Sequence, residues 1–448
     1  MPKKPASVLT FYTILGFSLA GYIFLGYFTQ RTNFIQFIIL FGLLITGYIF
    51  INITNPDESL IKKGIVISVL FRFSLLLMLP NLSDDYFRFI WDGRLFAHGI
   101  NPFTVMPSSF IRSDEALSTG LGQDLFSSMN SQEYYTIYPP VLQFIFRLST
   151  ILFPTNILGA VVIMRLIIIA AEAGSIFLLD SILRKLQLPL KNVLLYALNP
   201  LVIIELSGNL HFEALMIFFL LLSVHLLWRK QLIIAAFIFA LAVCSKLLPL
   251  MFLPLLIKQI GIKKSIQFYL ICGISCILLF APFVDRQFLS DISSSLQLYF
   301  QKFEFNASIF YIIRWIGFQT HGYDVIGISG ILLSFITTAA IIIFSAFQKR
   351  KGIVPFFNGM LFCITSYFIF TTTVHPWYIT TLVALCTVTT IRFPLVWSGL
   401  IVLTYFAYRS VPYSESMLIV ATEYFFLFLY MLYEWKMAGR GSLKSYSS

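Results

Sequence analysis

The chain has 448 residues, of which 58% are hydrophobic and 11% are charged, and it carries a formal net charge of +11. No soluble domain could bury that much apolar surface, so the composition excludes a soluble enzyme and indicates a polytopic all-α membrane protein. The basic residues lie in short clusters between apolar segments, which is typical of cytoplasmic loops and argues against a nucleic-acid partner.

Three apolar segments precede the longest polar region, and each is close to the length that a bilayer requires. They are 8–29, 35–53 and 64–80. Lys3 and Lys4 precede the first segment, which we interpret as a retained helix because no small-residue cleavage site stands out. With these lysines and Lys62-Lys63 in the cytoplasm, the third span delivers Asn81 to the outer face.

The polar stretch 81–103 holds the densest charge of the chain, with three carboxylates and two arginines. Ionisable groups clustered at the end of a span indicate a water-facing site, so we take this stretch as the active site. Ser83 is positioned to cap a helix that begins at the next residue. On such a helix Asp85, Arg88 and Asp92 share one face. The alternative is an interfacial helix whose acids only stabilise the positive end of its dipole.

The remainder of this polar region is predicted to be a surface loop followed by an interfacial helix. Residues 112–133 are rich in Ser, Gly, Asp and Gln, as loops are. Segment 138–153 is short, with Gln143 and Arg147 one turn apart, and could be an interfacial amphipathic helix or a short span. The basic residues that follow at 184–185 favour the interfacial helix, because only one further span then fits.

The middle of the chain, 157–283, begins with one full span and continues as short apolar pieces. In the full span Arg165 and Glu172 lie two turns apart and could form an intramembrane ion pair or a helix-docking pair. Breaks at 208–213 and 245–249 interrupt the following pieces. Broken helices are tolerated where their backbone lines a protein or water cavity, so we expect both breaks beside a cavity on the outer side.

The predicted organisation is one membrane domain with about 12–14 spans and cytoplasmic termini. Its parts are three spans at 8–80, the outer loop with its interfacial helices at 81–153, middle spans at 157–283, a second outer loop at 285–322, the last spans at 323–435 and a basic tail at 436–448. The second outer loop contains an amphipathic motif at 296–305. The five cysteines lie in apolar segments without ligand spacing, which is typical of buried small side chains.

Further polar candidates lie at the breaks and turns expected on the outer side. They are Asn209, His211 and Glu213 in G-N-L-H-F-E, then Lys246, and then His375, Trp377 and Tyr378 in V-H-P-W-Y. A polar loop at the headgroup level and an interfacial aromatic belt would also explain the first and last groups. Lys246 precedes a proline-marked break, where it is well placed for a phosphate, although a snorkelling lysine is the alternative.

Taken in order, these motifs resemble those of the C-type (GT-C) integral-membrane glycosyltransferases. They are most similar to the bacterial polyprenol-phosphate-mannose-dependent mannosyltransferases and the mannosyltransferases of glycolipid-anchor assembly. The similarity extends over about 80–380 and rests on S-D-D-Y-F-R-F-I-W-D-G-R at 83–94, Y-P-P at 138–140, L-N-P-L-V-I-I-E-L-S-G-N-L-H-F-E at 198–213, S-K-L-L-P-L at 245–250 and V-H-P-W-Y at 374–378. It implies a GT-C-like helix bundle in the bacterial cytoplasmic membrane with an outward-facing active site.

The resemblance also implies the reaction, which moves a hexose, with mannose as the first expectation, from a polyprenyl-phosphate donor to a lipid- or glycan-linked hydroxyl. Relatives place the catalytic base directly before an aromatic residue, which matches Asp85 before Tyr86, with Asp84 as its partner. No cofactor is clearly required, and a divalent metal, with Asp84 and Asp85 as its ligands, is left open. A phosphate leaving group needs positive charge and no strong acid, so the residues fit an inverting displacement.

The remaining expected site residues fall into two groups. Those expected at the donor phosphate are Arg88, Arg94, Lys246 and His375. Those expected to bind the rest of the substrates are Asp92, Tyr138, Asn209, His211, Glu213, Trp377 and Tyr378.

Two other functional classes share part of this pattern. A secondary transporter would also have broken helices and membrane ion pairs, but here the densest acids lie in an outer loop and not at the midplane. A ligase or polymerase of lipid-diphosphate-linked glycans would carry its main loop late in the chain, whereas Asp84 and Asp85 lie early. A membrane glycosyltransferase is therefore the preferred prediction.

Overall fold

The computed structural model describes residues 8–285, 303–410 and 412–444. Within these ranges the chain is mostly helical, and an isolated β-bridge joins Phe305 to Thr373. The prediction of an all-α polytopic membrane protein is confirmed. Residues 286–302, which hold most of the amphipathic motif predicted in the second outer loop, lie outside the described ranges.

We number the principal helices in chain order. The first nine are α1 Val8–Phe28, α2 Phe34–Ile53, α3 Glu58–Ser74, α4 Asp85–Ala97, α5 Pro140–Leu152, α6 Ile157–Lys185, α7 Leu190–Ala197, α8 Pro200–Gly208 and α9 Glu213–Trp228. The others are α10 Leu232–Val243, α11 Leu248–Ile260, α12 Ile262–Phe283, α13 Ile309–His321, α14 Ile326–Phe347, α15 Ile353–Phe370, α16 Pro376–Cys386, α17 Phe393–Leu400 and α18 Met417–Lys444. A 3₁₀ helix, Ile401–Arg409, follows α17.

Seven helices of the described part are long and apolar enough to cross a membrane, namely α1, α2, α6, α12, α14, α15 and α18. The pair α7 and α8, bent by 45° between its halves, would make an eighth span. The difference from the predicted 12–14 spans arises in the interrupted regions. There α9, α10, α11 and α16 are shorter apolar helices, because turns divide the apolar sequence into pieces.

Two helix boundaries differ from the sequence prediction for clear local reasons. Helix α3 begins at Glu58, six residues before the predicted span, because the Asp57 side chain accepts a hydrogen bond from the Leu60 N–H at 2.8 Å and caps it. Helix α13 occupies part of the predicted second outer loop. It ends at Gly322, whose φ of 77° is in the left-handed region that favours glycine.

Helices α6 and α15 form the centre of the bundle. In the apolar segments of these two helices 56% and 61% of the residues are buried, compared with 22% in α1. Helix α9 packs between α6 and α10, and α4 packs along α5, which contacts α6. The close approach of α4 and α5 depends on Gly93, where a Cβ atom would lie 2.4 Å from the Phe146 carbonyl oxygen. The charged stretch of the sequence thus lies against the central helices.

Two buried charges of α3 and α6 form an ion pair between helices. Arg72 Nη2 lies 2.8 Å from Glu172 Oε1, and both side chains are fully buried. The predicted pairing of Arg165 with Glu172 is therefore wrong. Seven residues correspond to a rise of about 10 Å along a helix, which is too far for direct contact.

Arg165 instead binds four backbone carbonyl groups at the ends of two interrupted segments. Its Nε donates to Ser207 O at 2.7 Å, and its Nη2 donates to Gly208 O at 3.0 Å. Its Nη1 donates to Leu76 O at 2.8 Å and to Met78 O at 2.5 Å. One guanidinium therefore satisfies the open carbonyls both after α3 and at the end of α8, and joins the segments that lead to the candidate site.

Candidate active site

Helix α4 begins at Asp85, one residue later than predicted. Its N-cap residue is Asp84, whose side chain makes no capping hydrogen bond. The Ser83 hydroxyl accepts a hydrogen bond from the Asp85 backbone N–H at 3.3 Å. The Asp84 carboxylate instead forms an ion pair with Arg31, with 2.6 Å between Oδ2 and Nη2. The two neighbouring acids therefore have different partners.

Arg31 lies in the turn between α1 and α2 and reaches the first turn of α4. Its backbone N–H donates to the Asn81 carbonyl at 3.3 Å, and the Asn81 side chain donates to the Gly26 carbonyl at 2.8 Å. Its guanidinium lies 5.4 Å from the centroid of the Tyr408 ring. Sequence reasoning missed this residue, because an arginine in a short turn between two spans is ordinary.

Asp85 is half-buried, and its Oδ1 accepts a hydrogen bond from Asn130 Nδ2 at 3.1 Å. Burial raises the pKa of the Asp85 carboxyl to about 6, and the charges of Asp84 and Glu213 act in the same direction. The Asn130 hydrogen bond and the charge of Lys246 lower that pKa. A carboxyl with a pKa near 6 is ionised at neutral pH and still basic enough to accept a proton in a reaction.

Arg88 and Asp92 form a buried ion pair within α4, with 2.8 Å between Nε and Oδ1. Arg88 Nη1 also donates to the carbonyls of Ser131 and Tyr134, each at 2.9 Å. Asp92 Oδ2 accepts from the Thr136 hydroxyl at 2.5 Å and from Gln143 Nε2 at 3.3 Å. The structure therefore uses Arg88 and Asp92 to fix the chain that leads into α5.

Arg94 lies six residues after Arg88 on α4 and has a similar contact. It is 9% exposed, and its Nη1 donates to the Gly120 carbonyl at 2.5 Å. We call residues 101–135 the covering loop, which contains the short helices Pro107–Phe110, Asp114–Ser118 and Gln123–Ser127. Because both Arg88 and Arg94 are bound to carbonyls of this loop, their placement argues against direct contact of either with a donor phosphate.

Lys246 lies between α10 and α11 and is one-third exposed, with 32% of its side chain accessible. Its ammonium forms an ion pair with the buried Glu213 carboxylate at the start of α9. It also lies 4.0 Å from the centroid of the Tyr378 ring, in a cation–π contact. The two breaks predicted from the sequence and the V-H-P-W-Y turn thus meet at Lys246.

Four aromatic rings from three parts of the chain form one stack. Trp377 lies between His211, at 3.8 Å between centroids, and His375, at 4.3 Å. The other face of His375 lies against Phe305 at 4.8 Å. The segment that carries Phe305 is held there by the backbone hydrogen bonds of the bridge to Thr373. Both faces of Trp377 are therefore covered by imidazole rings, and the side chain as a whole is half-buried.

The two histidines of this stack are neutral near pH 7. Burial and the nearby charge of Lys246 lower the pKa of His211 well below its usual value and that of His375 to about 3. The His375 ring, which we expect at the donor phosphate, is 8% exposed and stacked between Phe305 and Trp377. Its role there stays a prediction, and Lys246 is the predicted cation that is partly exposed.

Glu205 is a buried acid near the site that sequence reasoning missed. Its Oε1 accepts from the Tyr405 hydroxyl at 2.7 Å, and its Oε2 accepts from Asn209 Nδ2 at 3.1 Å. His211 Nε2 lies 3.5 Å from the same Oε2. Leu210, with a φ of 63°, turns the chain between Asn209 and His211. The available signal was an acid within an otherwise apolar segment.

The segment that carries Glu205 is a π-helical turn, Ile203–Gly208. Such turns are rare and are frequent at functional sites, because the widened turn redirects a side chain. Here Asn209 and His211 are both almost fully buried, Asn209 against Glu205 and His211 within the aromatic stack. In the structure these two side chains contact Glu205 and Trp377, and their contact with substrate stays a prediction.

Tyr138 lies between the covering loop and α5, two residues before that helix begins. Its ring packs 5.0 Å from Phe89 and 5.7 Å from Phe146, and it is half-buried. Burial and the negative charge of Asp85 raise the pKa of its phenol well above the usual value. The hydroxyl is therefore protonated at neutral pH and can donate a hydrogen bond.

The residues named as metal ligands do not fit a metal site well. Asp84 is bound to the Arg31 guanidinium, and Asp85 accepts from the Asn130 amide. Across the described ranges, no group of three His, Cys, Asp or Glu side chains is arranged to hold a metal ion. A cation between the two acids would have to displace Arg31 and would lack a third protein ligand.

The geometry brings together a carboxylate that can accept a proton and a cation that can bind an anion. Asp85 contributes the first and Lys246 the second, and the charge of Lys246 acts on the Asp85 carboxyl. The model of a protein family described as alpha-(1->6)-mannopyranosyltransferase, N-terminal domain, matches residues 20–260. The matched range includes Arg31, Asp85 and Lys246. A comparison with curated proteins gives no match.

Proposed function

We propose, since the chain belongs to the alpha-(1->6)-mannopyranosyltransferase family and is a GT-C type mannosyltransferase, that its sugar donor is a polyprenyl-phosphate mannose. The acceptor is a hydroxyl of a lipid- or glycan-linked saccharide. Family membership favours this enzyme class over the secondary transporter and the glycan ligase. The observation that carries the proposal is a half-buried acid, Asp85 at the start of α4, together with a partly exposed cation, Lys246, that is held by Glu213 and Tyr378.

In the proposed reaction Asp85 is the base. It accepts the proton of the acceptor hydroxyl while the acceptor oxygen forms a bond to the anomeric carbon of the sugar. The bond from that carbon to the phosphate oxygen breaks, and its electron pair leaves with the polyprenyl phosphate. The displacement inverts the anomeric centre, so an alpha product requires a beta-linked donor.

Lys246 is the proposed cation for the leaving phosphate. A phosphate monoester is already a weak base, so its departure depends on electrostatic stabilisation and not on a proton donor. The ammonium is partly exposed and is held between Glu213 and Tyr378. We propose that Tyr138, Tyr378 and the edge of Trp377 contact the sugars, and that Asn209, His211 and Glu213 hold these groups in place.

The topology proposed from the basic clusters places this site on the outer side of the cytoplasmic membrane. Lys62-Lys63 precede the middle of α3, and Arg184-Lys185 end α6. If both lie in the cytoplasm, the opposite ends of α3 and α6 carry the candidate site outside. The two termini are then cytoplasmic.

The experiment that tests the proposal uses purified protein in nanodiscs with radiolabelled polyprenyl-phosphate mannose and a lipid extract. Wild-type protein should transfer label from the beta-linked donor to a lipid-soluble saccharide, and Asp85→Asn should not. Transfer from a nucleotide sugar alone, or equal transfer by both proteins, would overturn the proposed donor or the proposed base. Donors carrying glucose or aminoarabinose test the sugar.

The rate is expected to depend on pH through Asp85. Because the base must be deprotonated and burial raises its pKa to about 6, kcat/KM should rise with pH through a midpoint near 6 and level off above it. Below the midpoint the rate should fall about tenfold per pH unit. Initial rates between about pH 4.5 and 8.5 measure this midpoint, and a value near that of an exposed aspartate, about 4, would contradict it.

Removal of divalent metal is expected to leave the rate unchanged, since Arg31 already neutralises Asp84. The measurement is initial transfer by protein that has been incubated with EDTA and exchanged into chelator-treated buffer. A loss of activity that Mg²⁺ or Mn²⁺ restores would contradict this expectation. Binding of radioactive Mn²⁺ to wild-type protein provides an assay that does not depend on turnover.

A further inference from the structure

The turn between α1 and α2 brings a cation to the first turn of α4 that the proposed reaction has not yet used. Arg31 is one-third exposed, with 33% of its side chain accessible, and it forms its ion pair with Asp84, the residue directly before the proposed base. Its backbone N–H donates a hydrogen bond to the Asn81 carbonyl, and the Asn81 side chain donates one to the Gly26 carbonyl of α1. Arg31 is therefore held at both ends, at its backbone by Asn81 and at its guanidinium by Asp84.

We infer that Arg31 is a positioning residue for the transfer reaction: it neutralises Asp84 and leaves the adjacent Asp85 to act as the base. This inference rests on the proposed function, in which Asp85 accepts the acceptor proton. Two adjacent carboxylates repel each other, and each makes the other harder to ionise. An arginine remains charged at every working pH, so it offsets one of these charges permanently.

The surroundings of Asp85 show why this compensation matters. The groups whose charges act on its carboxyl are Asp84, Glu213 and Lys246, and the Asn130 amide donates to it. Lys246 is already paired with Glu213, so these two charges largely cancel. Asp84 is the charge on the residue next to Asp85, and Arg31 is the cation that is bound to it, with 2.6 Å between Nη2 and Oδ2.

Tyr408 provides independent support for the placement of Arg31. The guanidinium lies 5.4 Å from the Tyr408 ring centroid. Burial and the charge of Asp85 raise the pKa of the Tyr408 phenol, and the charge of Arg31 lowers it. The ring belongs to the 3₁₀ helix that follows α17, so Arg31 connects α4 to the C-terminal helices. A stacked arginine held between a carboxylate and an aromatic ring loses little entropy when it keeps one geometry.

The test is the pH dependence of kcat/KM in four variants. In Arg31→Ala the uncompensated Asp84 should move the acid midpoint upward by about one pH unit, so the rate at pH 6 falls several-fold while the rate at high pH approaches that of wild type. Arg31→Lys should restore most of the shift. Arg31→Ala combined with Asp84→Asn should return the midpoint to the wild-type value or below it. The control, Arg409→Ala, alters an exposed arginine that lies over Phe406.

Asp84→Asn alone keeps the inference testable if Arg31→Ala does not fold. This variant retains Arg31 and removes the competing acid, so the midpoint should fall below that of wild type. An unchanged midpoint in Asp84→Asn or in folded Arg31→Ala overturns the inference. So does complete loss of activity in folded Asp84→Asn, which would make Asp84 itself indispensable. An increase in donor KM without a midpoint shift in Arg31→Ala would assign Arg31 to phosphate binding instead.

The failure of this inference can be distinguished from failure of the proposed function. If wild-type protein transfers no mannose, or shows no acid midpoint, the proposed donor or base is wrong. If wild-type protein shows the midpoint and the variants leave it in place, Asp85 stands as the base and Arg31 does not act on it.

Discussion

Replacing Asp85 by asparagine is expected to reduce the rate of mannosyl transfer by about 10²- to 10⁴-fold, the range found when a positioned general base is lost. Asparagine has the shape of aspartate, and its amide oxygen can still accept the hydrogen bond that Asn130 donates to Asp85. The first turn of α4 should therefore keep its structure. The change removes the proton acceptor and little else.

The measurement is single-turnover transfer from radiolabelled polyprenyl-phosphate mannose by Asp85→Asn and wild-type protein. Asp124→Asn is the matched control, because Asp124 is an exposed acid of the covering loop and is not a predicted site residue. The control should transfer at the wild-type rate, and thermal unfolding should show that all three proteins are equally folded. Near-wild-type turnover by Asp85→Asn would require another base.

Replacing Lys246 by alanine is expected to raise the KM for the donor by about 10- to 100-fold, since a hydrogen bond to a charged group contributes roughly 1.5–3 kcal/mol. The substitution has a second effect, because it leaves the Glu213 carboxylate, whose side chain is 5% exposed, without its cation. An unpaired buried carboxylate would itself repel a phosphate. The loss should therefore exceed that of a simple phosphate contact.

A second substitution separates these two effects. Lys246→Ala combined with Glu213→Gln removes the unpaired acid, so the donor KM should recover in part but stay above the wild-type value. Lys246→Arg keeps the charge and should lie between wild type and Lys246→Ala. The donor KM at fixed acceptor concentration measures all three. An unchanged donor KM in folded Lys246→Ala would assign this lysine to the fold and not to the phosphate.

The sequence was sufficient to predict the membrane class and to identify the segments that form the candidate site. The stretch at 81–103, the break at 208–213, Lys246 and the V-H-P-W-Y turn stood out because each places polar groups at the end of an apolar segment. The structure brings them together, as the contacts of Lys246 with Glu213 and Tyr378 demonstrate. The roles of these residues in catalysis remain predictions.

Side-chain partners were less predictable, because they depend on contacts between distant parts of the chain. Arg88 shares a helix face with Asp85 in sequence, yet its guanidinium binds carbonyls of the covering loop. Glu172 was close in sequence to Arg165 but pairs with Arg72 of another helix. Periodicity identifies which residues share a face, but not which neighbouring element faces them.

The four carbonyl contacts of Arg165 have a consequence for biosynthesis. Leu76, which lies just before the charged stretch 81–103, is separated by 89 residues from the arginine that binds its carbonyl. Ser207, a second partner, follows that arginine by 42 residues. At about 5–20 residues per second, the ribosome takes on the order of 10 s to travel from the first partner to the last. The acids at 84–85 are thus synthesised well before Arg165, and the carbonyl contacts that join the ends of α3 and α8 form only after α8 has been made.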